Sequence, residues 1–144
     1  PVSRELVLDE QLVIQSDVHQ VPQLNAFVKH VMERLGIEAS LAKKLQLAVE
    51  EAVVNVMEYA YPTGASGEIS LQVSSDGQSL KFVIKDQGGA FDPTMKELPD
   101  TTLSVEDRPI GGLGILLVRE MMDSINYERT GGMNVLTLIK TYQQ

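Results

Sequence analysis

The sequence contains no cysteine, which excludes a disulfide scaffold, a thiolate metal site and a cysteine nucleophile. Long apolar runs are missing as well. The longest uncharged apolar stretch, Ile110 to Val118, is interrupted by three glycines and is far shorter than the ~20 residues that a membrane-spanning helix needs. The first residues show no apolar secretory core behind a basic segment. We therefore expect a soluble, cytoplasmic protein.

Positive charge is also scarce. The chain has 12 Lys and Arg against 20 Asp and Glu, a formal net charge of −8. This balance argues against direct nucleic-acid binding, because neutralising phosphates requires a basic surface. A nucleotide would instead have to be held by a metal ion, backbone amides and a helix end. Solubility or a basic protein partner would otherwise explain the acidic surface.

The remaining composition is that of an ordinary globular protein, and 144 residues fit one domain with a sizeable core. No repeat or long linker divides the chain, so we predict a single domain over residues 1–144. Alternating apolar residues predict a strand from Glu5 to Ile14, with room for a turn at Asp9-Glu10. Apolar residues three and four positions apart predict a first helix from Val21 to Leu35, which Gly36 ends.

The other predicted elements follow from capping residues and turns. Ser40 is the predicted N-cap of a second helix, and Pro62 ends it. A third helix is predicted from about Gly112 to Met122. Two hairpins are predicted, Glu68 to Ser74 with Ser79 to Lys85, and Ser124 to Arg129 with Met133 to Lys140. Because hairpins dominate over β-α-β crossovers, we predict an α+β fold: a two-layer α/β sandwich with a mixed, mostly antiparallel sheet and helices on one face.

The second helix carries a polar pair beside its apolar stripe. Glu51 and Asn55 are four residues apart and so share one helix face at the rim of a buried crevice. Asn55 is a poor helix former and needs a partner if it is buried, and its amide oxygen suits a hard cation such as Mg²⁺. Glu51 is then placed to orient or deprotonate a hydroxyl. Alternatively, Glu50, Glu51 and Glu58 form a solvated face and Asn55 bonds a loop backbone.

A carboxylate ends the third predicted strand. Asp86 is in phase with the apolar residues Leu80, Phe82 and Ile84 and therefore faces the core, where it needs a hydrogen-bond donor. The exocyclic amine of adenine is one such donor, and Gly88 and its neighbour Gly89 would let a flat ring come close. The alternative is an Asx turn, in which Asp86 accepts from its own downstream amide.

A glycine-rich segment precedes the third helix. No period is visible from Asp86 to Ile110, and a loop of about twenty-five residues is usually functional. Gly111, Gly112 and Gly114 follow it, and glycines at a helix start expose amides that can cradle phosphate. The segment fits neither a Walker loop nor a dinucleotide motif. A plain flexible start of the helix remains the alternative.

The order of these three segments resembles the Bergerat-type ATPase superfamily. Glu51 to Asn55 is similar to its N box, Asp86 to Ala90 to its first glycine box, and Gly112 to Gly114 to its second. Within the superfamily the chain most resembles the small anti-sigma factor serine kinases. This likeness rests on Glu50 to Asn55, Gly88 to Pro93 and Arg108 to Ile115, and it extends over nearly the whole chain.

The resemblance implies a role for each matching position. Glu51 is the implied catalytic carboxylate, Asn55 the Mg²⁺ ligand, and Asp86 the adenine contact, with Gly88 beside the base. The implied ATP lid covers about residues 88–112, and the residues at its end that close over the phosphates are Gly112, Leu113 and Gly114. Implied partners are ATP and Mg²⁺, a small STAS-type anti-anti-sigma protein phosphorylated on serine, a sigma factor, and a second copy in a homodimer.

Two further candidate nucleotide contacts, Ala90 and Arg108, depart from the family pattern. Position 90 often holds Gly, and a required positive φ would cost Ala ~1–2 kcal/mol. Arg108 is the single basic residue near the lid glycines, although phosphoryl transfer depends on charge neutralisation. The alternative function is therefore a catalytically weak, nucleotide-gated module that sequesters a sigma factor or regulator. The ATP half of a histidine kinase is disfavoured, because neither His19 nor His30 has the surroundings of a phosphoacceptor.

Overall fold

Five strands and three helices make up the computed structural model, which describes residues 5–61, 67–95 and 112–143, with only the backbone described at 95 and 112–115. The helices are α1 (Val21–Leu35), α2 (Ala39–Tyr59) and α3 (Gly112–Met121). The strands are β1 (Leu8–Gln15), β2 (Glu68–Ser75), β3 (Ser79–Asp86), β4 (Ser124–Thr130) and β5 (Met133–Thr141). Short 3-10 turns lie at Val18–Gln20 and Pro93–Met95. No helix in these ranges is both long enough and apolar enough to cross a membrane.

The strands form one sheet in the order β1-β2-β3-β5-β4, and every neighbouring pair is antiparallel. The α+β fold predicted from the hairpins is therefore confirmed. The turn considered at Asp9-Glu10 is absent, because β1 pairs without a break through Asp9 with Ser74 and Glu10 with Val73. Pairing with β2 holds both residues in the extended backbone that a turn would have interrupted.

Strand alternation buries one face of the sheet under the helices. The buried strand residues alternate along β2 and β3 and join apolar residues of α1 and α2 in one core cluster. Fully buried members of this cluster include Leu24, Val28, Leu45, Val49, Val53, Ile69, Leu71, Phe82, Ile84 and Leu138. Because alternation continues to the strand ends, the last core-facing position of β3 and the first of β5 are also buried.

The junction between α1 and α2 contains both a confirmed and a wrong prediction. Gly36 ends α1 with φ of 67°, as its left-handed capping role requires. The N-cap of α2 is Glu38 instead of Ser40, because the longer carboxylate accepts from the amides of both Ser40 (2.9 Å) and Leu41 (3.0 Å). These backbone hydrogen bonds hold the pKa of Glu38 below its usual value. Pro62, the predicted end of the helix, lies outside the described residues.

Candidate functional site

Helix α2 carries the predicted polar pair on its buried side. Asn55 is completely buried, and its Nδ2 donates to the backbone carbonyl of Glu51 at 2.9 Å. The amide nitrogen therefore has a hydrogen-bond partner within the helix itself, one turn back. An amide that donates through its nitrogen keeps its oxygen as the acceptor atom, which is the atom that would bind a cation.

The three glutamates of α2 differ in their surroundings. Glu50 is half-buried and accepts from Asn25 Nδ2 at 2.8 Å, so it ties α2 to α1. Glu51 is also half-buried, whereas Glu58 is exposed. The alternative in which all three form one solvated face is therefore wrong.

At the end of β3, Asp86 occupies the core-facing position predicted for it. Its side chain is only 2% exposed, and Oδ1 accepts from the backbone amide of Gly88 and from Asn134 Nδ2, each at 2.9 Å. The Asx turn weighed as an alternative is present. It accounts for only one of the two donors, however, because the second comes from the neighbouring strand β5.

Asn134 is the residue that sequence reasoning missed. It is 4% exposed, and its Nδ2 also donates to the carbonyl of Gly89 at 2.8 Å. Its Oδ1 accepts from the backbone amide of Phe91 at 3.3 Å and from the hydroxyl of Tyr127. One amide thereby fixes both Asp86 and the turn after it. The strand alternation could have identified it. Asn134 is in phase with the buried Leu136 and Leu138 of β5, just as Asp86 is in phase with the buried residues of β3.

The glycine turn after Asp86 lies directly against the C-terminal end of α2. Gly89 N donates to the carbonyl of Ala60 at 2.7 Å. A Cβ at Gly88 would lie 2.5 Å from that same oxygen, whereas one at Gly89 would lie 3.5 Å away. The close packing of backbone on backbone therefore explains Gly88 without any ligand. Asp86, its glycine turn and the helix of Glu51 and Asn55 form one connected unit.

We expect Gly88→Ala to separate this turn from α2. The added methyl meets backbone atoms that cannot rotate away, so we expect a loss of ~1–3 kcal/mol in the free energy of unfolding, typical of overpacking. ATP affinity should also fall, because displacing the glycine turn displaces residues beside Asp86, the predicted adenine contact. Urea unfolding and nucleotide titration measure the two effects. Gly89→Ala is the matched control, because its methyl finds ordinary contact distance; an equal loss in both variants would contradict the packing argument.

The strain expected at Ala90 is absent. No residue other than glycine has a positive φ in the described ranges, so Ala90 does not incur the predicted penalty. Ala90 itself is exposed, and the next residue, Phe91, stacks on Tyr59 of α2 with ring centroids 5.1 Å apart. An exposed alanine in ordinary backbone conformation is compatible with a working turn.

Tyr61 joins the end of α2 to both β2 and the glycine turn. Its hydroxyl donates to the carbonyl of Glu68 at 2.8 Å and accepts from the amide of Gln87 at 3.1 Å. Burial raises the pKa of Tyr61 above its usual value, and the negative charges of Asp86 and Glu68 act in the same direction. Tyr61 therefore favours the neutral phenol in the folded chain.

Tyr61→Phe should lower the free energy of unfolding at neutral pH by ~1–3 kcal/mol, because Gln87 N–H and Glu68 C=O lose their partner. The raised pKa means that the phenol's contribution is complete below the unfolded pKa of about 10 and is lost as pH rises through the higher folded value. The gap between wild type and variant should thus narrow in strongly alkaline solution. Denaturant unfolding followed from pH 7 upward measures this, and a constant gap would contradict it.

The second glycine box is described only in part. α3 begins at Gly112, as predicted, and the side chains of Leu113 and its neighbours to 115 lie outside the described part of the structure. Arg108, Gly111 and most of the predicted lid, residues 96–111, lie outside it as well. Where the lid residues sit relative to Asp86, and which of them touch a nucleotide, stay predictions.

Comparison with known proteins decides the family. The histidine kinase-like ATPase domain family matches residues 14–140, which include all three boxes.

The chain belongs to this family.

Two relatives are annotated by name as protein kinases. Serine/threonine-protein kinase BtrW of Bordetella bronchiseptica is 32% identical over 112 residues, covering 78% of this chain and 79% of BtrW. Serine-protein kinase RsbW of Bacillus subtilis is 29% identical over 109 residues, covering 73% of this chain and 68% of RsbW. The resemblance stated from three motifs is therefore confirmed, and the predicted enzyme class, an ATP-using protein kinase, agrees with the names of both relatives.

Two solved structures share the fold. A Mycobacterium tuberculosis protein with RsbU and RsbW domains superposes with a TM-score of 0.66 at 14% identity, covering 94% of this chain and 32% of that one. The histidine kinase domain of a blue-light-activated kinase from Erythrobacter litoralis superposes with a TM-score of 0.55 at 18% identity, covering 85% of this chain and 60% of that one. The α+β sandwich that the hairpins predicted, and that the family resemblance implied, is thus the observed fold.

For a member of this ATPase family, the polar groups gathered here suit a nucleotide site with a separately supplied cation. No group of three or more His, Asp or Glu side chains in the described ranges forms a metal cage. Asn55 donates through its amide nitrogen to the backbone of α2, and its amide oxygen is the atom of suitable chemistry for a cation. That donor fits Mg²⁺, which keeps several waters and takes most other ligands from phosphate groups.

Proposed function

We propose that the chain is an ATP- and Mg²⁺-dependent serine protein kinase that acts as an anti-sigma factor in a partner-switching pathway. Its substrate is a serine of a small STAS-type anti-anti-sigma protein, and its other partner is a sigma factor that it sequesters. The observation that carries this proposal is the buried Asn55 one turn from Glu51, on a helix whose end contacts the Asp86 turn. Kinship with proteins named RsbW and BtrW supports it.

Each element of the site has one part in the proposed transfer. The serine oxygen attacks the γ-phosphorus, the bond to the β–γ bridging oxygen breaks, and the serine proton passes to the Glu51 carboxylate. Asn55 would hold Mg²⁺, and the ion would supply positive charge against the phosphates. Asp86 accepts from the adenine amine, with Gly88 and Ala90 alongside. Lid residues that contact the phosphates are proposed to be Arg108, Gly112, Leu113 and Gly114.

The assembly is proposed to be a cytoplasmic homodimer. β1 is an edge strand, and apolar side chains at and before it are exposed: Val13 by 46%, Val7 by 63% and Leu6 by 55%. An apolar edge of this kind is normally covered in solution. Sedimentation equilibrium of the wild type and of Val13→Lys measures the state; a monomer at micromolar concentration would remove the dimer from the proposal.

The kinase assignment is tested by label transfer. The purified chain is incubated with Mg²⁺, γ-labelled ATP and a candidate STAS-type anti-anti-sigma protein from the same organism, and the same protein with its acceptor serine changed to alanine serves as control. We expect label on the serine protein alone, and only with Mg²⁺ present. ATP-dependent binding of the partner without any label transfer would instead favour the nucleotide-gated binding module.

A further inference from the structure

A groove of about 450 Å³ lies between the end of α1 and the start of α2, apart from the candidate nucleotide site. Its apolar lining comes from Met32, which is 2% exposed, from the half-buried Ile37, and from Ala39 and Ala42 of α2. The volume is within the range of pockets that hold organic groups, about 300–1,000 Å³. None of these residues belongs to the nucleotide-binding boxes.

The local sequence explains why the groove is open. Gly36 turns the chain sharply with its left-handed conformation, and α2 starts three residues later. Ala39 and Ala42 are three apart and so lie on the same face of α2. Their methyl groups are too short to fill the space beside Met32. A concave surface with an apolar floor therefore remains at the junction of the two helices.

Charge around the groove has the opposite sign to the rest of the chain. Lys29 on α1 and Lys43 on α2 line its two walls, and Glu33 is the single acidic residue in the lining. Neither lysine makes an ion pair with any residue in the described ranges. The nearby Arg34 is engaged by Glu10, and Glu38 is engaged by the amides that it caps. The lining of the groove thus has two exposed lysines and one glutamate, whereas the chain as a whole has a net charge of −8.

We propose that this groove docks an acidic segment of a partner protein, with one large apolar side chain of that segment inserted beside Met32 and Ala42. Carboxylates of the segment lie against Lys29 and Lys43. Complementary charge favours such a segment over a second copy of this acidic chain, which would be repelled at long range. The span from Ala39 to Gln46 is about two helical turns, so a short amphipathic segment suffices. This docking does not depend on phosphoryl transfer.

The groove is tested with a phage-displayed library of random peptides about 12 residues long, enough for the two turns available. The library is selected on the chain with Mg²⁺ and ATP present, in parallel with Ala42→Trp, which fills the groove. Ser74→Trp, on the opposite face of the sheet, is the matched control. We expect acidic sequences with at least one large apolar residue to be enriched about tenfold more on wild type and Ser74→Trp than on Ala42→Trp.

A second variant keeps the test independent of how Ala42→Trp folds. Lys29→Glu/Lys43→Glu changes only exposed side chains, and it should weaken the best synthetic peptide about tenfold in fluorescence anisotropy at low salt, less at high salt. A peptide with lysines in place of its carboxylates should bind this double variant better than wild type. Neutral or basic enriched sequences, or binding that is equal in all variants, would overturn the proposal. A sedimentation change caused by Ala42→Trp would assign the groove to a second copy instead.

Discussion

Glu51→Gln should lower the rate of phosphoryl transfer to the partner serine by about 10²- to 10⁴-fold, the usual contribution of a positioned general base. The amide has the shape of the carboxylate but cannot take the serine proton. Neighbouring carboxylates cannot replace it, because Glu50 is engaged by Asn25 and Glu58 is exposed to solvent. Affinity for ATP should change by less than about threefold, since a residue that acts only on the incoming hydroxyl adds little to nucleotide binding.

Single-turnover label transfer and isothermal titration with ATP measure the two quantities separately. Glu58→Gln is the control, because it makes the same change of charge at an exposed position two turns further along the same helix. Transfer by Glu51→Gln at the wild-type rate would remove Glu51 as the base. If ATP affinity fell as far as the rate, Glu51 would have to be a nucleotide-binding residue.

Asp86→Asn should abolish or reverse the preference of the site for an amine at the 6-position of a purine. Both donors to Asp86, Gly88 N and Asn134 Nδ2, converge on Oδ1, so an asparagine must place its amide oxygen there. Its NH₂ group then takes the position of Oδ2 and meets the adenine amine, donor against donor. A lost hydrogen bond to a charged group and an unsatisfied donor together cost ~1–3 kcal/mol, or about 10- to 100-fold in ATP affinity.

Inosine triphosphate makes this test specific, because it carries a carbonyl in place of the exocyclic amine. We expect wild type to prefer ATP, and Asp86→Asn to bind both nucleotides about equally or to prefer inosine triphosphate. Asp92→Asn is the matched control, since that carboxylate only caps the next turn by accepting from the amide of Thr94 at 2.8 Å. An unchanged nucleotide ratio in Asp86→Asn would place the base elsewhere.

The spacing of apolar residues predicted the helices and strands well, because it reflects which side chains are buried, and burial also determines how these elements pack in the fold. α1, the two hairpins and the core-facing phase of Asp86 all followed from it. The N-cap of α2 was misplaced because Ser40 was judged by capping preference alone, while the adjacent Glu38 reaches two amides. A capping preference describes a residue type by itself. It does not show whether Ser40 or Glu38 binds the free amides at the start of α2.

Contacts between distant parts of the chain were beyond the sequence. The approach of Ala60 to Gly88 joins residues that no local pattern relates, so Gly88 was explained by a bound ring alone. Asn134 lies 48 residues from Asp86, and its bond to Asp86 could be inferred only once β3 and β5 are known to be neighbours. Its buried polar side chain was nevertheless visible in the strand alternation, which makes it the one omission that closer reading would have prevented.

The bonds around Asn134 have a consequence for the entropy of recognition. Its amide is held at both ends, by the carbonyl of Gly89 and by the hydroxyl of Tyr127, and it in turn holds Asp86. The orientational freedom of that carboxylate is therefore lost when the chain folds, before any base arrives. A ligand that donates a hydrogen bond to Asp86 finds this acceptor in a fixed orientation. Little of the binding free energy is therefore needed to order the protein at that end of the site.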